Sequence, residues 1–214
     1  MSHPLIKICG ISTPETLDAA ITARADYCGF VFFAPSPRNL SLAQAAQLSA
    51  HAGGRIGKVG IFVDPSDELL ASAIKAGRLG ALQLHKVSAK RRQEVKDRFR
   101  LPVWAVMTIR AQADLAARNQ PGTANADRLL YDAATPKDAD LPGGMGIRFD
   151  WNWLAGLKHP CPWGLAGGLT PENVADAIRL TGAPLVDTSS GVESAPGIKD
   201  VDKIAAFCKA AKNR

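Results

Sequence analysis

Short apolar segments alternate with amphipathic segments along the whole chain. The apolar segments are hydrophobic on both faces, as in residues 27–33, and this is typical of parallel strands that are covered by helices. The pattern predicts eight strands, near residues 5–9, 27–33, 56–63, 80–84, 102–107, 127–132, 163–166 and 184–187. It predicts helices between and after them, near residues 14–24, 41–51, 65–77, 88–99, 111–118, 150–157, 171–181 and 199–212.

Capping residues followed by proline mark three predicted helix starts, at Thr13-Pro14, Asp64-Pro65 and Thr170-Pro171. Eight strand–helix units in 214 residues average about 27 residues each, the size of a minimal repeat in a (β/α)8 barrel. A doubly wound open sheet is the alternative, but its first strand leads into a glycine-rich fingerprint, which Cys9-Gly10-Ile11 is not. We therefore expect an α/β fold, a single-domain TIM barrel over residues 1–214.

The composition is that of a globular domain with a sizeable core, since 46% of the residues are hydrophobic and 21% are charged. No apolar stretch approaches the ~20 residues that cross a bilayer, and the N-terminus does not resemble a signal peptide. The net charge of +6 is spread over predicted helices, and its one dense run, Lys90-Arg91-Arg92, shares a helix with Glu94 and Asp97. Such mixed charges are typical of a solvated helix face. We expect no nucleic-acid or membrane partner, and a small anionic substrate instead.

The four cysteines show neither a CxxC pair nor metal-ligand spacing, which favours a reduced, cytoplasmic compartment. Cys28 and Cys208 lie in apolar patterns, so we expect them to be buried. Cys9 differs because it ends the first strand, just before Gly10. Active-site groups of such barrels lie at that end of the strands, and a thiol there is readily tuned into a base or a nucleophile.

Other chemically active side chains also fall at predicted strand ends. Asp132 follows an apolar strand, where desolvation can keep a carboxyl protonated and able to act as an acid. Arg38 follows the second strand and suits a bidentate pair with a carboxylate, with a surface salt bridge as the alternative. His85 ends the fourth strand, either as a structural histidine or as a substrate contact.

The loops after the seventh and eighth strands predict a phosphate site. Gly167-Gly168 lets backbone N–H groups approach an anion, and Ser189-Ser190-Gly191 supplies hydroxyls and further N–H donors at a helix start. Paired glycines alone would only make a turn, but both loops occur where TIM barrels commonly bind phosphate.

Taken together, these residues resemble the phosphoribosylanthranilate isomerase family of tryptophan biosynthesis, over essentially the whole chain. The order and spacing of the motifs make the resemblance specific. The motifs are Lys7-Ile8-Cys9-Gly10, Gly29-Phe30-Val31-Phe32 through Ser36-Pro37-Arg38, Val59-Gly60-Ile61-Phe62-Val63, Gln83-Leu84-His85, Phe149-Asp150-Trp151, Ala166 through Asn173, Val186-Asp187 through Glu193, and Gly197-Ile198-Lys199-Asp200.

The resemblance implies an Amadori rearrangement without a metal or an organic cofactor. N-(5-phosphoribosyl)anthranilate becomes 1-(2-carboxyphenylamino)-1-deoxyribulose 5-phosphate. Asp132 matches the acid that protonates the furanose ring oxygen and opens the sugar to an imine. Cys9 matches the base that removes the proton from C2, after which the enolamine tautomerises to the ketone. The acid must begin protonated and the base ionised, and Lys7 would favour a thiolate if its side chain points inward.

The same resemblance implies the substrate contacts. Arg38 is expected to face the anthranilate carboxylate, and Asp187 to face the sugar hydroxyls. The phosphate is expected to be held by Gly167, Gly168, Ser189 and Ser190.

The chain departs from the family pattern at the rim of the predicted barrel. Lys86 stands where a glycine usually follows Gln-Leu-His, and Met145 replaces a polar residue in the loop Gly143-Gly144-Met145-Gly146. Neither belongs to the catalytic pair. The sequence leaves open whether the loop over residues 133–146 closes on the substrate, and the chain is expected to be a monomer or a homodimer.

Two alternative functions remain. A histidine-pathway isomerase performs the same rearrangement on a related barrel, but it has an aspartate at the Cys9 position and binds two phosphates, whereas one phosphate site is visible here. A barrel that binds phosphosugars without catalysis is the second alternative. The presence of both Cys9 and Asp132 argues against it.

Overall fold

A closed barrel of eight parallel strands forms the centre of the computed structural model, which describes residues 3–119, 125–134 and 148–213. The strands follow one another around the barrel in chain order, and the last pairs with the first. This confirms the predicted TIM barrel. The strands are β1 Leu5–Cys9, β2 Tyr27–Phe32, β3 Gly57–Val63, β4 Ala81–His85, β5 Val103–Ile109, β6 Arg128–Ala133, β7 Trp163–Leu165 and β8 Leu185–Thr188.

Helices cover the outside of the barrel. The α-helices of the described residues are α1 Pro14–Thr22, α2 Leu42–Ala52, α3 Asp67–Gly77, α4 Ala89–Phe99, α5 Val174–Thr181 and α6 Val201–Lys212. Two of the predicted helices are instead 3₁₀ segments, Gln112–Asn119 and Trp151–Leu154. The second one is short because Gly156, with φ of 70°, turns the chain away soon after it.

Only one of the three predicted proline-marked helix starts is confirmed. Thr13 caps α1 by accepting a hydrogen bond from the backbone of Thr16. Before α3 the cap is Ser66, because Asp64 has φ of 43° and belongs to the turn that ends β3. Before α5 the chain makes an extra turn, in which the side chain of Asn173 accepts from the backbone of Thr170.

Side chains alternate between the two faces of each strand. One face contributes to the main core against the helices, and it includes Cys28 and Phe30. The other face points into the barrel, where a separate apolar cluster fills the end that holds the strand starts. Its buried members are Val59, Ala81, Trp104, Leu130 and Leu185. The opposite end of the barrel interior is therefore left to other side chains.

A short hairpin follows β8 at the rim of the barrel. A 3₁₀ turn, Ser190–Val192, leads into the antiparallel strands β9 Glu193–Ala195 and β10 Ile198–Lys199. Gly197 in this hairpin packs so closely on the loop after β2 that a Cβ atom would lie 2.7 Å from the carbonyl oxygen of Pro37. The hairpin is thus fixed beside Arg38. Within the described part of the chain, no helix is long and apolar enough to cross a membrane.

Candidate active site

Cys9 lies at the end of β1 with its thiol at the carboxyl end of the barrel. The neighbouring strand makes room for it with a glycine, since a Cβ atom on Gly29 would lie 3.0 Å from the sulfur. Burial raises the pKa of the Cys9 thiol, while the ammonium groups of Lys7 and Lys199 act in the opposite direction. Lys7 does point inward, which was the condition set for its favouring the thiolate. Because the net effect is a raised pKa, the thiol is mainly protonated at neutral pH.

Asp132 lies near the end of β6, and burial raises the pKa of its carboxyl to about 7, with a further contribution from Asp187. The expected protonated carboxyl is therefore present over a substantial part of the population at neutral pH. Gly167 touches it from β7's loop, because a Cβ atom there would lie 2.9 Å from Oδ1 of Asp132 and 2.4 Å from the nitrogen of Ala133. Only glycine fits that position, which also has φ of 82°.

A buried ion pair lies beneath the thiol. Lys7 and Asp187 face each other across β1 and β8, and Nζ of Lys7 donates to Oδ2 of Asp187 at 2.7 Å. The other carboxylate oxygen, Oδ1, is buried and has no hydrogen-bond partner among the described residues. An unpaired acceptor of this kind can take a hydroxyl group of a ligand.

Arg38 is buried rather than part of a surface salt bridge. Its Nε and Nη2 atoms donate to the two carboxylate oxygens of Glu193, each at 2.7 Å. Lys199 also donates to Glu193, so two cations share one carboxylate. Burial alone would raise the pKa of Glu193, but Arg38 and Lys199 together hold it below its usual value. Arg38 is thus fixed in place by the hairpin before any ligand arrives.

His85 ends β4 next to Gln83 on the inner face of the barrel. Burial, with smaller effects of Lys7 and Lys86, lowers the pKa of His85 to about 4. The imidazole is therefore neutral at neutral pH, and its Nε2 atom lies 3.1 Å from the amide nitrogen of Gln83. A neutral ring can exchange hydrogen bonds with a ligand without adding charge.

The two predicted phosphate loops lie side by side. Gly167 and Gly168 both have positive φ, of 82° and 67°, and the side chain of Asn173 holds the Gly168 carbonyl by a hydrogen bond of 2.9 Å. A Cβ atom on Gly191 would lie 1.9 Å from the carbonyl oxygen of Leu169, so the loops are in direct contact. The two loops therefore form one continuous group of backbone segments at the rim.

Ser189 contributes differently from what the sequence suggests. Its hydroxyl donates to the carbonyl of Cys9 at 3.1 Å, and Lys199 donates to the carbonyl of Ser189 at 3.1 Å. The hydroxyl proton is thus used within the protein. Ser190, next in the chain, begins the 3₁₀ turn and is partly exposed.

Sequence reasoning assigned no role to Glu193, Lys199 or Asn173. Each lies within a motif of the family resemblance, and Glu193 and Lys199 are buried charges, which the sequence alone does not reveal. A signal was available in the spacing, because an acid and a lysine six residues apart flank the turn at Gly197. Met145 and most of the loop over residues 133–146 lie outside the described residues.

Comparison with known proteins agrees with this site. The family model for N-(5'-phosphoribosyl)anthranilate isomerase matches residues 6–210. The chain belongs to this family. A curated isomerase of this name from Paramagnetospirillum magneticum is 53% identical over 208 residues, which cover 97% of this chain and 96% of that protein. The predicted isomerase of tryptophan biosynthesis is thereby confirmed, and the histidine-pathway alternative is set aside.

Solved structures of the family share the fold. Phosphoribosylanthranilate isomerase from Thermotoga maritima superposes with a TM-score of 0.86 at 31% identity, covering 99% of this chain and all of that one (100%). A second family structure contains reduced 1-(o-carboxyphenylamino)-1-deoxyribulose 5-phosphate. It has a TM-score of 0.81 at 28% identity and covers 99% of this chain and 100% of its own.

Proposed function

We propose that this chain isomerises N-(5'-phosphoribosyl)anthranilate with Asp132 as the general acid and Cys9 as the general base. The observation that carries the proposal is the carboxyl of Asp132, whose pKa is raised to about 7 at the same end of the barrel as the Cys9 thiol. Acid and base catalysis are most effective when the acid titrates near the working pH.

The proton transfers balance with these two residues. Asp132 gives its proton to the furanose ring oxygen, the bond from that oxygen to C1 breaks, and the nitrogen lone pair forms the C=N bond. The Cys9 thiolate then takes the proton from C2, and the electrons of that C–H bond form the C1=C2 double bond as the C=N electrons return to nitrogen. The enolamine gains a proton at C1 and loses the hydroxyl proton at C2.

The charges around the site suit a substrate with two anionic ends. Arg38 and Lys199 share the single carboxylate of Glu193, so this group carries a net positive charge that favours the anthranilate carboxylate. The family structure that holds a reduced product analogue supports the same class of ligand. Asp187, with its unpaired Oδ1, would accept from the sugar hydroxyls, and neutral His85 would contact the substrate.

The phosphate would lie on the paired loops. We assign it to the backbone of Gly167, Gly168 and Ser189 and to Ser190. Binding energy from this remote group would orient the sugar between acid and base.

Two further properties belong to this proposal. All four cysteines are free thiols, which fits the reducing conditions of the cytoplasm. A monomer or a homodimer stays a prediction.

The test is turnover of the fluorescent anthranilate substrate by the purified protein and two variants. Cys9→Ser should lower kcat at least about 100-fold, because it removes the general base. Cys28→Ser is the matched control, since Cys28 is buried on the next strand but faces the helices. It should keep its kcat. Near-normal turnover of Cys9→Ser would remove Cys9 as the base, and binding of a product analogue without turnover by the unmodified protein would favour a non-catalytic barrel.

A further inference from the structure

Lys7 is a lysine with no solvent exposure, inside the barrel. Burial of an ammonium group is unfavourable unless the charge is paired, so a lysine in this position requires partners. One partner is Asp187, 2.7 Å away across β1 and β8. Burial alone would lower the pKa of Lys7, but Asp187 and Cys9 outweigh it and raise the pKa, so the ammonium keeps its charge.

The second partner is the thiol that we propose as the base. Lys7 and Cys9 are two residues apart on β1, and alternate residues of a strand point to the same face. The ammonium group pairs with Asp187 and also favours the ionised form of the Cys9 thiol through its charge. It therefore shares the inner face of the barrel with both a carboxylate and the atom that must become an anion.

Among the described residues, three charged groups on the surrounding elements have the largest effects on Cys9. They are Lys7 on its own strand, Asp187 on β8 and Lys199 on β10. Asp187 opposes ionisation of the thiol, whereas Lys199, which also pairs with Glu193, favours it. Lys7 is the largest of the influences that favour the thiolate.

We propose that Lys7 is a positioning residue of the reaction, whose buried ammonium, anchored by Asp187, stabilises the Cys9 thiolate and holds it towards the substrate. The proposal rests on the proposed role of Cys9 as the base. Lys7 keeps its own proton throughout: it supports the negative charge on sulfur before C2 is deprotonated, and its attraction to sulfur weakens once the proton has moved there.

The experiment measures ionisation of Cys9 directly, independently of turnover. The rate of alkylation by iodoacetamide is followed against pH, with the Cys9 peptide separated from the other three cysteines by mass spectrometry. Lys7→Met should raise the midpoint of the pH profile of Cys9 alkylation by about one pH unit or more, with about a tenfold loss of kcat per unit. Asp187→Asn removes the opposing charge and should lower the midpoint.

A merely structural role would not give shifts of opposite sign. Lys58→Met is the matched control, because Lys58 is also a buried strand lysine, but it bonds the carbonyl of Gly53 away from Cys9. It should leave the midpoint unchanged. Equal or absent shifts in Lys7→Met and Asp187→Asn overturn the proposal.

If Lys7→Met alone does not fold, the charge-neutral pair Lys7→Met/Asp187→Asn replaces it. Its midpoint should lie above that of Asp187→Asn, and an equal or lower midpoint overturns the proposal. An active Cys9→Ser variant would instead overturn the role of Cys9 as the base, whatever the midpoints are. The two failures are therefore distinguishable.

Discussion

The two halves of the barrel interior are built from the same strands but from opposite kinds of side chain. At the end with the strand starts, Trp104, Leu130 and Leu185 belong to an apolar cluster. Asp132 lies two residues after Leu130 on β6, and Asp187 lies two residues after Leu185 on β8, so each carboxyl shares the inner face of its strand with the leucine before it. The first half contributes hydrophobic stabilisation, and the second half holds polar groups that burial makes unfavourable.

The cost of the polar half is visible in unpaired atoms and displaced pKa values. Oδ1 of Asp187 and Oε1 of Gln83 are buried without a partner among the described residues. Burial also raises the pKa of Asp132 and lowers that of His85. In the proposed site these unfavourable groups serve the chemistry, while the apolar half contributes the compensating stability. Substitutions in the apolar half and in the polar half can test this contrast.

The largest effect is expected in the apolar half. Trp104→Ala should lower the free energy of unfolding by about 3–5 kcal/mol, because it leaves a cavity among buried neighbours. It also removes an edge contact with Tyr27 at 5.2 Å and a cation–π contact with Arg128 at 5.0 Å. Urea unfolding measures the loss. At a temperature where the variant is folded, its pH profile of kcat/KM should match the unmodified protein, and a changed profile would contradict the division into two halves.

Asp132→Asn should raise the free energy of unfolding, whereas Trp104→Ala lowers it, and it should also abolish most turnover. The carboxyl ionises near pH 3.9 in the unfolded chain but only at about 7 in the folded protein. As pH rises between these values, ionisation favours the unfolded chain, so the native state loses stability. Because asparagine does not ionise, Asp132→Asn should raise the free energy of unfolding at pH 8 by about 2–4 kcal/mol, and by almost nothing below pH 4.

Asp114 provides a control for Asp132→Asn, because the pKa of its carboxyl is shifted in the opposite direction. Backbone N–H groups of Arg110 and Ala111 lower the pKa of its carboxyl, so its charge favours the native state above the unfolded pKa. Asp114→Asn should therefore destabilise at pH 8 and change less as pH falls. Urea titrations at pH 4, 6 and 8 compare the two variants, and destabilisation by Asp132→Asn at pH 8 would contradict the raised pKa.

The pH dependence of kcat/KM should reveal the same acid and base. The productive form has a proton on Asp132 and none on Cys9, and it is a minor arrangement of the singly protonated pair. Since Asp132 titrates at about 7 and burial raises the Cys9 pKa, kcat/KM should rise through pH 7 and fall where the thiol ionises. The expected change is about tenfold per pH unit on the lower limb. A decline in kcat/KM between pH 6 and pH 8 would exclude this protonation scheme.

Much of this arrangement could be predicted because it depends on local pattern. The strands follow from short apolar runs, and Cys9, His85 and Asp132 were predicted as strand-end residues from their place in those runs. The fold thus brings predictable residues to one rim. The prediction of a helix start at Thr170 was wrong because the side chain of Asn173 supports a turn there. No local pattern distinguishes that turn from a helix cap.

The long-range partners could not be predicted in the same way. Arg38 and Glu193 are 155 residues apart and meet only through the hairpin that follows β8. The hydroxyl of Ser189 bonds the carbonyl of Cys9, 180 residues away, instead of pointing towards a ligand. The displaced pKa values also depend on burial by many neighbours, and burial is a property of the assembled barrel.

The smallest effect is expected from Lys86, on the rim just after the polar half. Lys86 is exposed and has φ of 55°, a conformation that is unfavourable for any residue with a Cβ atom. This explains why a glycine suits that position in the family pattern. Lys86→Gly should raise the free energy of unfolding by about 0.5–1 kcal/mol, since relief of strain exceeds the added entropy of the unfolded chain.

Arg100→Gly, at the other rim with φ of 54°, should give a similar gain. Of these two residues, Lys86 is the one that lowers the pKa of His85, so Lys86→Gly should raise that pKa and Arg100→Gly should not; NMR titration of the imidazole can follow the change. An equal shift in both variants would show that the rims are not electrostatically distinct.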